Sequence, residues 1–376
     1  MERKKIFFGA IGWKTGIIFL AMLGLLSGMV CTRAEAGALT SLSLMVTGGT
    51  QMSPLFSPDK HKYRVSVEHD IDEMTIKATV PEGAVLKIDD RLTDPEAGSS
   101  VKLNTGKNKL HLVVTLENGK TEEYLLLVMR ENIQPVVEKF SAFSYVDVES
   151  GCVMDYRLYK PEGYTPGKEY PLVLYLHGSG EYGSGNQAQL LANQGAVVWA
   201  KPEEQAQHPC FVLAPQAQHS WVSDENAGEE SPAVSDLEMV VKIIDRLEKN
   251  YTIDKARIYA TGVSDGGTGI WRLNEEYPEL FAAMVPVCGS GDVQQAEKLI
   301  SKPVWIFHAE ADPVISVMDS RRMVEFLREN GGHPLYTEYP RAMYIHPMGH
   351  YSWIPAYQTK EMRDWLFQQR LKNKKS

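Results

Sequence analysis

Between residues 39 and 130 apolar and polar positions alternate with period two in several short runs: Tyr63, Val65, Val67; Met74, Ile76, Ala78, Val80; Leu110, Leu112, Val114, Leu116; and Tyr124, Leu126, Val128. That period places one set of side chains on one face, the mark of half-buried strands. Asn118-Gly119 separates the last two runs and tolerates positive φ, which predicts a tight hairpin turn. No run here has helical spacing, so residues 38–131 are expected to form a small antiparallel all-β sandwich. From residue 140 the pattern changes. Continuous apolar runs at 171–176, 210–214, 257–260, 283–287 and 303–307 read as buried strands, while Leu237, Val240, Val241, Ile244 and Leu247 recur at helical spacing within 235–249. Strands alternating with helices predict a mostly parallel sheet with helices on both faces over 140–372, and 132–139, around Pro135, is the expected linker.

Composition narrows the class. The chain has 376 residues, 43% hydrophobic and 23% charged, which is ordinary for globular protein and too long for one small binding module. The first 36 residues carry five basic and two acidic side chains, so the remaining 340 hold a formal −12 against −9 for the whole. Such an acidic chain without a basic patch repels phosphate backbones, which argues against nucleic acid as a partner. The basic start, the apolar run at 16–30 and the small residues Ala34 and Ala36 read as a signal peptide over 1–36, cleaved after Ala36 to leave a secreted, extracellular chain with no stable membrane insertion. A retained anchor is the competing reading, but the run falls short of the roughly 20 residues that span a bilayer. Cys31 follows the bulky Val30, so lipidation is not expected. Cys152, Cys210 and Cys288 allow at most one disulfide, which the sequence leaves open, and their spacing matches no zinc pattern.

Chemistry enters at Gly262-Val263-Ser264-Asp265-Gly266, a Gly-x-Ser-x-Gly motif between an apolar strand and a helix expected to begin near Gly266. The glycines permit the sharp turn that lifts Ser264 clear as an exposed nucleophile. A serine hydroxyl needs a base, and of the ten histidines His350, on a loop between an expected strand at 335–339 and the last helix, stands in the right place. His346, four residues earlier, competes with it. Asp312 follows the strand at 303–307 and precedes a Pro-Val turn, which favours it over Glu310 as the acid that orients the imidazole. The order Ser264, Asp312, His350 is that of α/β-hydrolases. The oxyanion would be met by backbone N–H groups of Asp265 and, from the loop His177-Gly178-Ser179-Gly180-Glu181, of Ser179, with Gly180 as the alternative. Trp221 and Trp353 are candidate substrate-binding walls, each equally readable as core. This chemistry requires neither metal nor cofactor.

Two resemblances follow from these residues. Leu39-Thr40-Ser41-Leu42-Ser43-Leu44, Leu55-Phe56-Ser57-Pro58, Tyr63 and Tyr124-Leu125-Leu126-Leu127-Val128-Met129-Arg130 resemble the cadherin-like bacterial β-sandwich domain, with no calcium-ligand cluster of the EF-hand kind. Residues 140–370 resemble secreted α/β-hydrolases of the predicted-peptidase and carboxylesterase family, relatives of feruloyl esterases and polyhydroxyalkanoate depolymerases. The resemblance rests on Leu176-His177-Gly178-Ser179-Gly180-Glu181, Leu213-Ala214-Pro215-Gln216, Tyr277-Pro278-Glu279-Leu280-Phe281 and Gly349-His350 with Ser352-Trp353. Three features depart from that family: a carboxylate at Asp265, whose side chain must then point away from the oxyanion; Ala309 in place of the usual glycine; and a longer stretch at 341–348.

The resemblance implies a serine carboxylesterase acting on small esters or acylated polysaccharide, with acyl or feruloyl groups on polysaccharide as the candidate acyl part. A serine peptidase of the prolyl-oligopeptidase-like type is the alternative. A third reading is an extracellular carbohydrate- or wall-binding protein with an inactive hydrolase fold, against which Ser264, Asp312 and His350 argue. The sandwich is open to roles as spacer, active-site wall or polysaccharide-binding module.

Overall fold

A computed structural model of the chain describes residues 38–222 and 234–371. The expected signal peptide and its cleavage after Ala36 lie outside the described residues. Nine strands build the N-terminal region: β1 (Ser41–Met45), β2 (Met52–Ser53), β3 (Lys62–Val67), β4 (Glu73–Thr79), β5 (Val85–Ile88), β6 (Arg91–Thr93), β7 (Ser99–Lys102), β8 (Gly106–Thr115) and β9 (Thr121–Arg130). Alternation sets their faces. In β3 Tyr63, Val65 and Val67 are buried while Lys62, Arg64 and Ser66 are exposed, and β8 and β9 turn Leu110, Leu112, Val114, Tyr124, Leu126 and Val128 into the same core. A three-stranded sheet, β1-β4-β7, faces a six-stranded one, β2-β3-β9-β8-β5-β6. The hairpin expected at Asn118-Gly119 joins β8 to β9, with Thr115 opposite Thr121 and Gly119 at φ +80°. The sandwich is not wholly antiparallel: β3 and β9 pair parallel. The chain between them crosses to the other sheet and returns, which frees the pair from the hairpin constraint that dictates antiparallel neighbours.

Eight further strands form one sheet: β10 (Phe140–Val146), β11 (Val153–Tyr159), β12 (Tyr170–Leu176), β13 (Phe211–Gln216), β14 (Ile253–Val263), β15 (Ala283–Val287), β16 (Trp305–Ala309) and β17 (Leu335–Tyr339), in the order β10-β11-β13-β12-β14-β15-β16-β17. The β10-β11 and β11-β13 pairs are antiparallel and all later pairs parallel. All seven residues of β12 are buried because helices cover both faces. Leu172, Leu174 and Leu176 meet Leu237, Val240, Ile243 and Leu247 of helix Asp236–Asn250 on one side. On the other, Val173 and Tyr175 join a core that contains Trp199, Met362 and Leu366. This is the layering that the continuous apolar runs predicted.

The stretch expected as a linker is packed down. Residues Gln134–Val137 make one helical turn, and Ile133 and Val137 are buried in the second core against the eight-stranded sheet. The described residues accordingly fall within one compact unit. The sandwich touches the chain that follows β17: Ile354 is buried in the sandwich core, Tyr351 and Trp353 pack on it, and the His346 N–H donates to Thr47 Oγ1 at 2.8 Å. A polar seam lies elsewhere on the same boundary. Lys201 Nζ, 8% exposed, lies 2.9 Å from both Glu68 Oε2 and Glu131 Oε2 and also bonds Gln194, whose N–H donates to Asp70 at 3.1 Å. Burial pushes the Asp70 carboxyl up to about 7. Among the described residues no helix is long and apolar enough to cross a membrane.

Replacing Lys201 with Met leaves two carboxylates facing each other at this seam. A fully buried pair broken in this way costs ~3–5 kcal/mol. Because Glu68 and Glu131 keep 40% and 31% of their side chains exposed, solvent screening lowers the expected loss to about 2 kcal/mol. Urea unfolding of the wild type and Lys201→Met measures it, and coincident midpoints would show that the ions contribute nothing.

Candidate active site

The parallel strands end on one edge, and the turn after β14 carries Ser264. The serine sits at φ 55°, ψ −120°, between β14 and helix Asp265–Glu276. Such a positive φ on a residue with a Cβ persists only where the surroundings impose it. They do so through backbone crowding. A methyl group at Gly266 would run into the carbonyl oxygens of Leu176 and His177, so the helix can start this close to β12 only with glycine there. The Ser264 N–H donates to Val287 O at 3.0 Å and ties the turn to β15.

His350 lies in a one-turn helix, Gly349–Tyr351, after β17. A Cβ on Gly349 would stand 2.5 Å from Ala311 O and 3.0 Å from Asp312 N, so that glycine lets the histidine loop rest on the loop after β16. The result is a hydrogen-bonded line. His350 Nε2 is 2.9 Å from Ser264 Oγ, and His350 Nδ1 is 2.8 Å from Asp312 Oδ2. Asp312 Oδ1 accepts the Val314 and Ile315 N–H groups at 2.8 and 3.1 Å. The two competitors stay apart: His346 stacks on Tyr344 and lies 3.9 Å from Glu73 of the sandwich, while Glu310 accepts the Arg341 N–H at 3.0 Å.

A second imidazole reaches the acid. His308 Nε2 is 3.2 Å from Asp312 Oδ2 and its Nδ1 is 2.7 Å from Ser320 Oγ, with the ring fully buried. Burial alone would raise the Asp312 carboxyl, but the hydrogen bonds from His308 and His350 outweigh it and hold the group below the usual carboxylate range. Sequence reasoning did not single out His308. Its one signal was its place on β16 four residues before Asp312. Cys288, Asp312 and His350 offer three possible metal-ligand atoms within 4.8 Å of one another. The imidazole and carboxylate already share a hydrogen bond, and burial pushes the Cys288 thiol up to about 12, so these atoms suit a hydrogen-bonded triad beside a neutral thiol better than a cation.

The loop after β12 approaches the serine from the other side. A Cβ on Gly178 would stand 3.4 Å from Ser264 Cβ. Among the described residues the N–H groups of Asp265, Ser179 and Gly180 donate to no acceptor. The Asp265 carboxylate is anchored by three donors, Ser220 Oγ at 2.8 Å, the Trp221 N–H at 2.9 Å and Tyr182 OH at 2.7 Å, which carries it away from the serine hydroxyl. Trp221 is 2% exposed; its Nε1 donates to His177 O at 2.8 Å and its ring lies 4.9 Å from the His177 ring. It therefore supports the loop from below and offers no open wall. Trp353 is half-buried, with its ring 5.4 Å from and perpendicular to that of His350, and backs the imidazole. The described cysteines, Cys152, Cys210 and Cys288, are free thiols.

The strand order and the turn bearing Ser264 define an α/β-hydrolase. A family model described as "Putative esterase" matches residues 148–332, and one described as a cadherin-like beta sandwich domain matches residues 39–131. The chain is similar to a thermostable esterase of known crystal structure, 38% identical, with a TM-score of 0.60 over 79% of this chain and 88% of that one. It is 27% identical over 180 residues to a probable feruloyl esterase C of Aspergillus terreus, covering 47% of this chain and 62% of the relative. It is also 27% identical over 165 residues to a bifunctional acetylxylan esterase/xylanase of Neocallimastix patriciarum, covering 43% and 21%. The chain thus spans less than two thirds of these two curated relatives. It belongs to the esterase family of α/β-hydrolases, with a cadherin-like β-sandwich before the catalytic fold.

His177 supplies a pH test of the site. Its Nε2 accepts the Ala217 N–H at 3.0 Å, so the proton sits on Nδ1 and is donated to Gly178 O at 2.7 Å. Burial lowers its pKa from 6.5 to about 4. The folded state then holds fewer protons than the unfolded chain between those values, so this stabilisation is complete above pH 6.5 and is lost as pH falls toward 4. Between pH 7 and 5 the wild type should lose about 2 kcal/mol more stability than His177→Gln. Chemical unfolding at the two pH values measures the difference, and equal losses would mean that the ring is not held neutral.

Proposed function

We propose that this protein is a secreted serine carboxylesterase in which Ser264 is the nucleophile, His350 the general base and Asp312 the group that orients and stabilises the imidazole. The observation that carries the reading is the 2.9 Å approach of His350 Nε2 to Ser264 Oγ, with Asp312 2.8 Å behind Nδ1. Ser264 Oγ attacks the ester carbonyl carbon as its proton passes to His350 Nε2. The N–H groups of Asp265 and Ser179 receive the negative oxygen of the tetrahedral intermediate. Its collapse expels the alcohol, which takes the proton from Nε2, and leaves an acyl-serine. Water then attacks that acyl group with His350 again as base, releasing the acid and restoring the serine.

Acyl and feruloyl esters on polysaccharide are the proposed substrate class, because the chain is similar to relatives named acetylxylan and feruloyl esterases. The basic and apolar start of the chain supports export.

Wild type should hydrolyse p-nitrophenyl acetate, and Ser264→Ala should lower kcat by a factor on the order of 10⁶. Equal rates for the two proteins would remove the enzyme assignment. The matching p-nitroanilide should turn over far more slowly. Comparable cleavage of ester and anilide would replace the esterase reading with the peptidase one.

A further inference from the structure

Glu181 is an acidic side chain buried beside the nucleophile that the proposed mechanism leaves unused. It closes the one-turn helix Ser179–Glu181, and its bonds to Gly178 are reciprocal: Glu181 Oε2 accepts the Gly178 N–H at 2.7 Å while the Glu181 N–H donates to Gly178 O at 3.2 Å. The carboxylate and the nucleophile lie on the same side of Gly178, since a Cβ built there would be 3.6 Å from Glu181 Oε2 and 3.4 Å from Ser264 Cβ. Neutral groups hold the rest of the loop. Trp221 and Ala217 fix His177, and Gln216 Nε2 donates to Glu181 O at 2.8 Å.

A buried carboxyl is an expensive way to cap a turn, because burial penalises its charged form and a serine or asparagine would cap at lower cost. The penalty is visible in a pKa pushed up to about 7. Groups perturbed in this way collect where chemistry needs them. The bond it makes also has a consequence for the donors. It occupies the Gly178 N–H, so among the described residues the next N–H groups along the loop without an acceptor are those of Ser179 and Gly180.

We infer that Glu181 is a positioning residue of the oxyanion site: by holding the Gly178 N–H it sets the turn that presents the Ser179 and Gly180 N–H groups to the carbonyl oxygen of the substrate. This role rests on the esterase reading above. It acts through the backbone and touches no reacting atom. Its effect therefore belongs in the transition state, where the oxyanion forms, and not in substrate binding.

The test compares Glu181→Gln, whose amide oxygen still accepts the Gly178 N–H, with Glu181→Ala and with Glu181→Met, which fills the volume without that acceptor. Thermal melting checks that each protein is folded. With p-nitrophenyl acetate, Ala and Met should lower kcat by ~30-fold with KM within about twofold, and Gln should stay within about threefold of wild type. Full-rate Met, Gln as slow as Met, or a loss carried by KM would each overturn the role while leaving the esterase reading intact. An inactive wild type would overturn both.

Discussion

The site depends on the backbone crossing beneath Ser264. The helix Asp265–Glu276 starts against the carbonyls that end β12, and only the missing Cβ of Gly266 allows it to do so. That crossing forces the serine to φ 55° and places its hydroxyl at the end of the parallel strands, where the loops after β12, β16 and β17 converge. The strain is paid for by packing on both faces of the sheet, since β12 is buried along its whole length. Loosening the layers would relax the turn and withdraw the hydroxyl from the imidazole.

Charge around that turn is arranged by local donors. Three carboxylates stand near a place where negative charge would develop, and each is held by its own donors: Asp312 by two imidazoles and two N–H groups, Asp265 by a hydroxyl, a phenol and an N–H, Glu181 by the Gly178 N–H. His177, at the start of the loop after β12, is instead kept neutral by burial. A buried charge without such partners would neutralise itself or unfold its surroundings.

The sandwich is part of this scaffold. The segment that carries His350 leaves β17, bonds to Thr47, sends Ile354 into the sandwich core and lays Trp353 between that core and the His350 ring. The histidine thus has a floor made of hydrolase residues and a side wall braced through Thr47, 299 positions before His346. The extended stretch at 341–348 finds its physical role in the same contacts, since Tyr344 and His346 lie against β4.

Local periodicity determined much of what was legible in the chain. Period-two runs marked β3, β4, β8 and β9, continuous apolar runs marked β12 to β16, and helical spacing marked Asp236–Asn250 within a residue or so. The β10 strand escaped because it is an edge strand exposed over most of its length, so nothing in its pattern reports a core. The Gly-x-Ser-x-Gly motif marked the turn at Ser264 because the glycines that the crossing against β12 demands stand within two residues of the serine. What only the tertiary structure decided were relations between residues far apart: the parallel pairing of β3 with β9, the imidazole of His308 on the acid, the burial of Trp221, and the clamp of Glu181 on the loop beside Ser264. Spacing does not show that these groups meet, because a period records which face a residue turns and not which distant group it will meet there.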